Sequence, residues 1–63
     1  MQKQPLTAKE LSAIEDELSA EQLLVKKFQM YAQMACDPSL QQACRDMAAK
    51  HQRHFDTLLT YLQ

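Results

Sequence analysis

Apolar side chains recur at heptad spacing through the first half of the chain: Leu11, Ile14, Leu18, Val25, Phe28, Ala32 and Ala35. Such spacing lines one face of a helix. The slot between Leu18 and Val25 holds Glu21 instead of an apolar residue. A second series runs Leu40, Cys44, Met47, His51, Phe55, Leu58 and Leu62, again in steps of three and four. Between the two lies Pro38, which pushes the residue before it out of the helical region and so ends the first helix. Asp37 then serves as N-cap of the second helix, with Pro38 at its first position. At the other end Thr7 and Glu10 have the spacing of a capping box, flanked by Leu6 and Leu11 at the positions of a hydrophobic staple. The pattern predicts helices at about 8–35 and 38–62, with residues 1–4 and Gln63 fraying. Two long helices joined by two or three residues must lie side by side and antiparallel. The expected fold is all-α, a single helical-hairpin domain over residues 1–63.

A hairpin uses one stripe from each helix, and the first helix has more apolar surface than that. Leu23, Leu24 and Val25 are consecutive, so they spread over roughly 200° of the helix surface. Met30, Tyr31 and Met34 extend the surplus towards the turn. Leu23, Leu24, Met30, Tyr31 and Met34 are therefore expected to form an interface, and a second copy related by a two-fold axis is the simplest partner. The product would be a homodimeric four-helix bundle.

Composition narrows the function classes. At 63 residues the chain is one small domain, burying only about 60% of the surface it exposes when unfolded. Two cysteines allow at most one bridge, and no cleavable leader or membrane span is legible, so a soluble intracellular protein is expected. Seven basic and eight acidic side chains give a net charge of −1, unlike a dedicated nucleic-acid binder. Glycine is absent, which removes the P-loop and the dinucleotide fingerprint together. Lys26, Lys27, Arg45, Lys50 and Arg53 are interspersed with Glu15, Asp16, Glu17, Asp46 and Asp56, with no aromatic residues between to stack on bases. No catalytic residue, cofactor, small-molecule substrate, nucleic acid or membrane is expected.

The two polar residues in the apolar series belong together. With the turn centred near residue 37, facing positions sum to about 74. Glu21 then stands opposite the stretch between His51 and His54, roughly 21–24 Å from the turn. A carboxylate and imidazoles at one level of a helical core either pair or bind a metal. Pairing is the expectation, because a metal site usually has more ligands; Glu21, His51 and His54 are the set if an ion is held. Cys44 is expected to oppose Met30, leaving its sulfur roughly 9 Å along the bundle from that of Cys36, too far for a bridge. Cys36, at the turn, is a candidate for cross-linking between molecules. Met30, Met34 and Met47 read most simply as adaptable packing residues.

A helix with an inward Glu, followed by one with an inward His in the run Ala48-Ala49-Lys50-His51-Gln52-Arg53-His54-Phe55, resembles the ferritin-like superfamily. More narrowly, residues 11–24 (LSAIEDELSAEQLL) and 48–59 (AAKHQRHFDTLL) resemble small members of the spore coat F family of endospore-forming bacteria. The resemblance implies a ferritin-like four-helix bundle and a structural role in the spore coat or in the cytoplasm of the sporulating cell, alongside other coat proteins. In ferritin-like di-iron proteins the second helix bears Glu-x-x-His. His51 falls on the His of that motif and Glu21 on the first-helix Glu, but Ala48 stands where the motif has Glu. Two copies thus bring two carboxylates and two imidazoles where the di-iron site has four and two. The resemblance implies the fold without the metal chemistry. Its runner-up is a degenerate ferritin-like metal-binding protein, and an RNA-binding hairpin dimer is a third reading.

Overall fold

A computed structural model describes residues 5–63 as an all-α antiparallel hairpin. Helix α1 spans Ala8–Met34 and helix α2 spans Pro38–Leu59, followed by a single 3₁₀ turn, Thr60–Leu62. The second helix thus tightens three residues before the end expected from its apolar series. The fraying expected of residues 1–4 lies outside the described residues; at the other end the Gln63 amide donates to the Thr60 carbonyl at 3.4 Å.

Both starts are built by the residues that signal them. Glu10 N–H donates to Thr7 Oγ1 at 3.0 Å, and Thr7 N–H donates to Glu10 Oε1 at 2.9 Å. Asp37 Oδ1 accepts from the Ser39 backbone and from its hydroxyl, each at 2.8 Å. These bonds satisfy amides that the first turn of a helix leaves without partners. Leu6 lines a shallow hollow at the open end of the hairpin with Glu10, Ala13, Ile14, Leu58 and Tyr61, and both Leu6 and its expected staple partner Leu11 are exposed.

The Thr7 bonds lower the Glu10 carboxyl below its ordinary range, and the Ser39 bonds do the same for Asp37. Both groups bind protons less readily folded than unfolded. Their contribution is therefore complete above the ordinary carboxylate range near about pH 4 and is lost as pH falls through the lowered folded values. Urea midpoints measured from pH 6 down to 2 should fall in acid, and Thr7→Ala should flatten part of that dependence. An unchanged slope in the variant would show that the capping box does not link folding to protonation.

The two helices meet along small residues. Val25, Ala32, Cys44 and Ala48 are the buried apolar side chains, and Ile14, Leu18, Phe28, Ala35, Phe55 and Leu58 are half-buried beside them. On α2 this line runs through Gln41, Cys44, Ala48, His51, Phe55 and Leu58. That corrects the expected series at three points: Leu40 and Leu62 are exposed, Met47 is at the border of exposure, and Gln41 and Ala48 stand in the inner slots. The reason is close approach. Ala48 lets the backbones come together where Met47 would hold them apart, and Gln41 Nε2 donates to the Ala35 carbonyl at 2.6 Å, tying α2 to the end of α1.

The hairpin measures 47 × 22 × 11 Å, with a radius of gyration of 14.9 Å. A compact domain of this length would have a radius near about 10.6 Å. Its 11 Å depth is one helix diameter, so the fold is a single layer with two open flat faces.

Candidate functional site

Glu21 is the one buried charged residue among those described, at 7% exposure. It occupies an apolar slot of α1 three positions after Leu18 and four before Val25, so the heptad spacing turns it towards α2. There it meets the two histidines at the level computed from the turn. His51 Nδ1 lies 2.9 Å from Glu21 Oε2, and His54 Nδ1 lies 3.3 Å from the same oxygen. An ionised carboxylate only accepts, so His51 Nδ1 is the donor of the 2.9 Å hydrogen bond, while His54 stands at ion-pair distance. No buried side-chain polar atom among the described residues lacks a partner. Glu21 is therefore tolerated in the seam because α2 supplies the donors that water would otherwise supply.

The rings are held in order. Phe28 stacks on His51 with centroids 5.8 Å apart and planes 5° from parallel. His51 meets His54 edge-on at 5.5 Å, and Phe28 meets Tyr31 edge-on at 6.1 Å. Tyr31, Phe28, His51 and His54 thus form a continuous line of rings from the flank of α1 to the flank of α2. Phe28 is the member that sequence spacing alone placed only in the seam. Its contact with His51 depends on how far each helix turns about its own axis.

This line of rings marks one flat face of the hairpin. At 100° per residue, Leu24 and Tyr31 project about 70–90° to one side of the α1 seam, and Leu40, Met47 and His54 project about 50–90° to the corresponding side of α2. The opposite face is a shallow groove lined by amides and a cation, Gln29, Gln33, Gln41, Arg45 and Gln52, around Val25, Ala32 and Ala48. One face is thus apolar and aromatic, the other polar. The five residues expected to form one interface divide accordingly. Leu24 and Tyr31 flank the seam on the apolar face, whereas Leu23, Met30 and Met34 point about 150–170° away from α2, on the back of α1, where Met34 is 69% exposed. Met30 therefore does not stand opposite Cys44. The signal for the α2 part of the face was present as the seven-residue series Leu40, Met47, His54, Tyr61.

Comparison with known proteins adds no identity. No family model, curated protein or solved structure matches the chain. The chemistry of the site rests on its own geometry.

Cys36 is exposed, Cys44 is buried, and both are free thiols. Among the described residues no helix is long and apolar enough to cross a membrane.

Removing the carboxylate gives a direct measure of its structural worth. With metal absent, Glu21→Leu is expected to be neutral or stabilising by up to about 2 kcal/mol, because it removes the cost of burying a carboxylate and leaves imidazoles that are 15% and 48% exposed and need carry no charge. Chemical unfolding of both proteins decides this. A loss of several kcal/mol would instead make the Glu21 bonds a main support of the hairpin.

Proposed function

We propose that the chain is a non-enzymatic structural protein that works as a homodimer, with two hairpins packed through their apolar faces into a four-helix bundle. The single observation supporting this is the uncovered face formed by Tyr31, Leu40 and Met47 beside half-buried Leu24, on a hairpin one helix thick. The chain exposes 5083 Å², against about 4,200 Å² for a compact monomer of its mass. The excess is close to the ~800 Å² that each partner buries in a stable interface. Two-fold pairing of these faces adds the missing second layer and leaves the glutamine-lined faces in water.

On the resemblance of residues 11–24 and 48–59, the bundle is assigned to the spore coat F type, with a ferritin-like arrangement and a place in the spore coat or the sporulating cytoplasm. Leu23, Met30 and Met34 remain on the outside of such a dimer and are the contacts it offers to neighbouring coat proteins. Exposed Cys36 adds a thiol able to cross-link neighbours under oxidation.

Sedimentation equilibrium at tens of micromolar should give twice the 7.3 kDa chain mass. A folded monomer of 7.3 kDa would overturn the dimer. A tagged copy expressed through sporulation should fractionate with the coat, and a diffuse distribution that sporulation leaves unchanged would overturn the spore assignment.

A further inference from the structure

We propose that Glu21, His51 and His54 form a mononuclear site for a divalent transition-metal ion of the zinc type, one ion per chain. Each of the three residues offers one ligand atom, and the three atoms lie within 4.8 Å of one another. Two of the separations are 2.9 and 3.3 Å, from Glu21 Oε2 to the two Nδ1 atoms. In a tetrahedral zinc site with bonds of about 2.0–2.1 Å, neighbouring ligand atoms stand about 3.3 Å apart. An ion at the point where the three converge takes the place of the proton that His51 Nδ1 now directs at the carboxylate.

The surroundings favour such an ion. His51 and His54 are three residues apart on α2 and share a face. Their rings are 89° from coplanar, so two nitrogens approach the carboxylate oxygen from different directions. Phe28 fixes the plane of His51 from behind. The side chain of His51 is 15% exposed and that of His54 48%, so the site is shielded on the seam side and, in the single hairpin, opens onto the face that carries Leu40 and Met47. Three protein ligands leave a fourth position for water.

Donor type sets the class of ion. Two imidazoles and one carboxylate suit Zn²⁺, Co²⁺, Ni²⁺ or Cu²⁺, whereas Mg²⁺ and Ca²⁺ require mostly oxygen. The set differs from a carboxylate-bridged di-iron centre, because the residue that would bring the extra carboxylate is Ala48 and the third ligand is His54. All three ligands come from one hairpin, and the pairing proposed above enters only through its share in keeping that hairpin folded. Counting ions per chain separates failure of one proposal from failure of the other.

The test is equilibrium dialysis of the full chain with Co²⁺, in a Cys36→Ser background that removes the exposed thiol as a competing ligand. The visible spectrum of bound Co²⁺ reports its coordination geometry. The expected result is one Co²⁺ per chain with a tetrahedral-type spectrum, displaced by Zn²⁺ and unaffected by excess Mg²⁺. His54→Gln alters a half-exposed ring and should leave the hairpin folded by circular dichroism while weakening Co²⁺ binding by at least about tenfold. Absence of Co²⁺ binding would overturn the site, as would undiminished binding by folded His54→Gln. Two ions per pair of chains with a bridged, coupled spectrum would overturn its mononuclear character.

Discussion

Lysine at both Leu24 and Tyr31 should unfold the chain, not merely separate two folded hairpins. In the hairpin alone the buried apolar side chains are Val25, Ala32, Cys44 and Ala48, and among the described residues no side chain falls below 2% exposure. So thin a core offsets little of the roughly 1–2 kcal/mol of backbone entropy that each ordered residue costs. Exposed apolar side chains remain both on the open face, at Tyr31, Leu40 and Met47, and on the back of α1, at Leu23, Met30 and Met34, and fully covering a side chain such as Leu40 contributes about 1.5–3 kcal/mol. If pairing supplies that cover, folding and assembly are one equilibrium, and stability depends on protein concentration. The double variant should lose helical circular dichroism at concentrations where the parent is a folded dimer. Lysine at Leu23 and Met34, on the back of α1, should leave both helicity and mass unchanged. A folded monomeric Leu24→Lys/Tyr31→Lys protein would show that the hairpin stands alone. Dissociation caused by the Leu23 and Met34 changes would place the interface on the back of α1 instead.

Phe28→Ala is expected to cost about 3 kcal/mol, at the lower end of the range for removing a packed phenylalanine because the ring is half-buried. For a domain of this size that is a large part of a total stability of roughly 3–9 kcal/mol. The ring contacts Tyr31 on its own helix and His51 on the other. Its loss therefore opens the seam at the level of Glu21 and frees the His51 plane. Phe28→Leu keeps most of the apolar volume and should cost less than about 1.5 kcal/mol. Urea unfolding at fixed protein concentration measures both. A loss below about 1 kcal/mol for Phe28→Ala would mean that the ring line is a surface feature without structural weight.

Local chemistry made the elements legible in advance. Thr7 with Glu10, and Asp37 with Pro38, place both helix starts correctly because capping depends on backbone amides only two or three residues away. The level of Glu21 relative to His51 and His54 was also legible. A short turn and a rise of 1.5 Å per residue leave antiparallel helices little freedom to slide. Rotation about the helix axes was less determined. Leu40 and Met47 lie one residue before Gln41 and Ala48, a turn of only 100°, and both choices keep steps of three and four. Hydrophobicity favours the larger pair for the inner line. The structure selects Gln41 and Ala48, because the Gln41 amide bonds to the Ala35 carbonyl and Ala48 permits close approach.

The same rotation decides the site and the face. Sequence spacing alone determined an all-α hairpin, its caps and a carboxylate near two imidazoles, since each follows from residues close in the chain or from a turn too short to allow alternatives. Only the tertiary structure decided that both Nδ1 atoms converge on one Glu21 oxygen, that Phe28 backs His51, and that Leu24 and Tyr31 part company from Leu23, Met30 and Met34. Those outcomes depend on how far each helix turns about its own axis. Small side chains at the contact set that angle through packing, and a heptad pattern read along one helix leaves it open by about one residue.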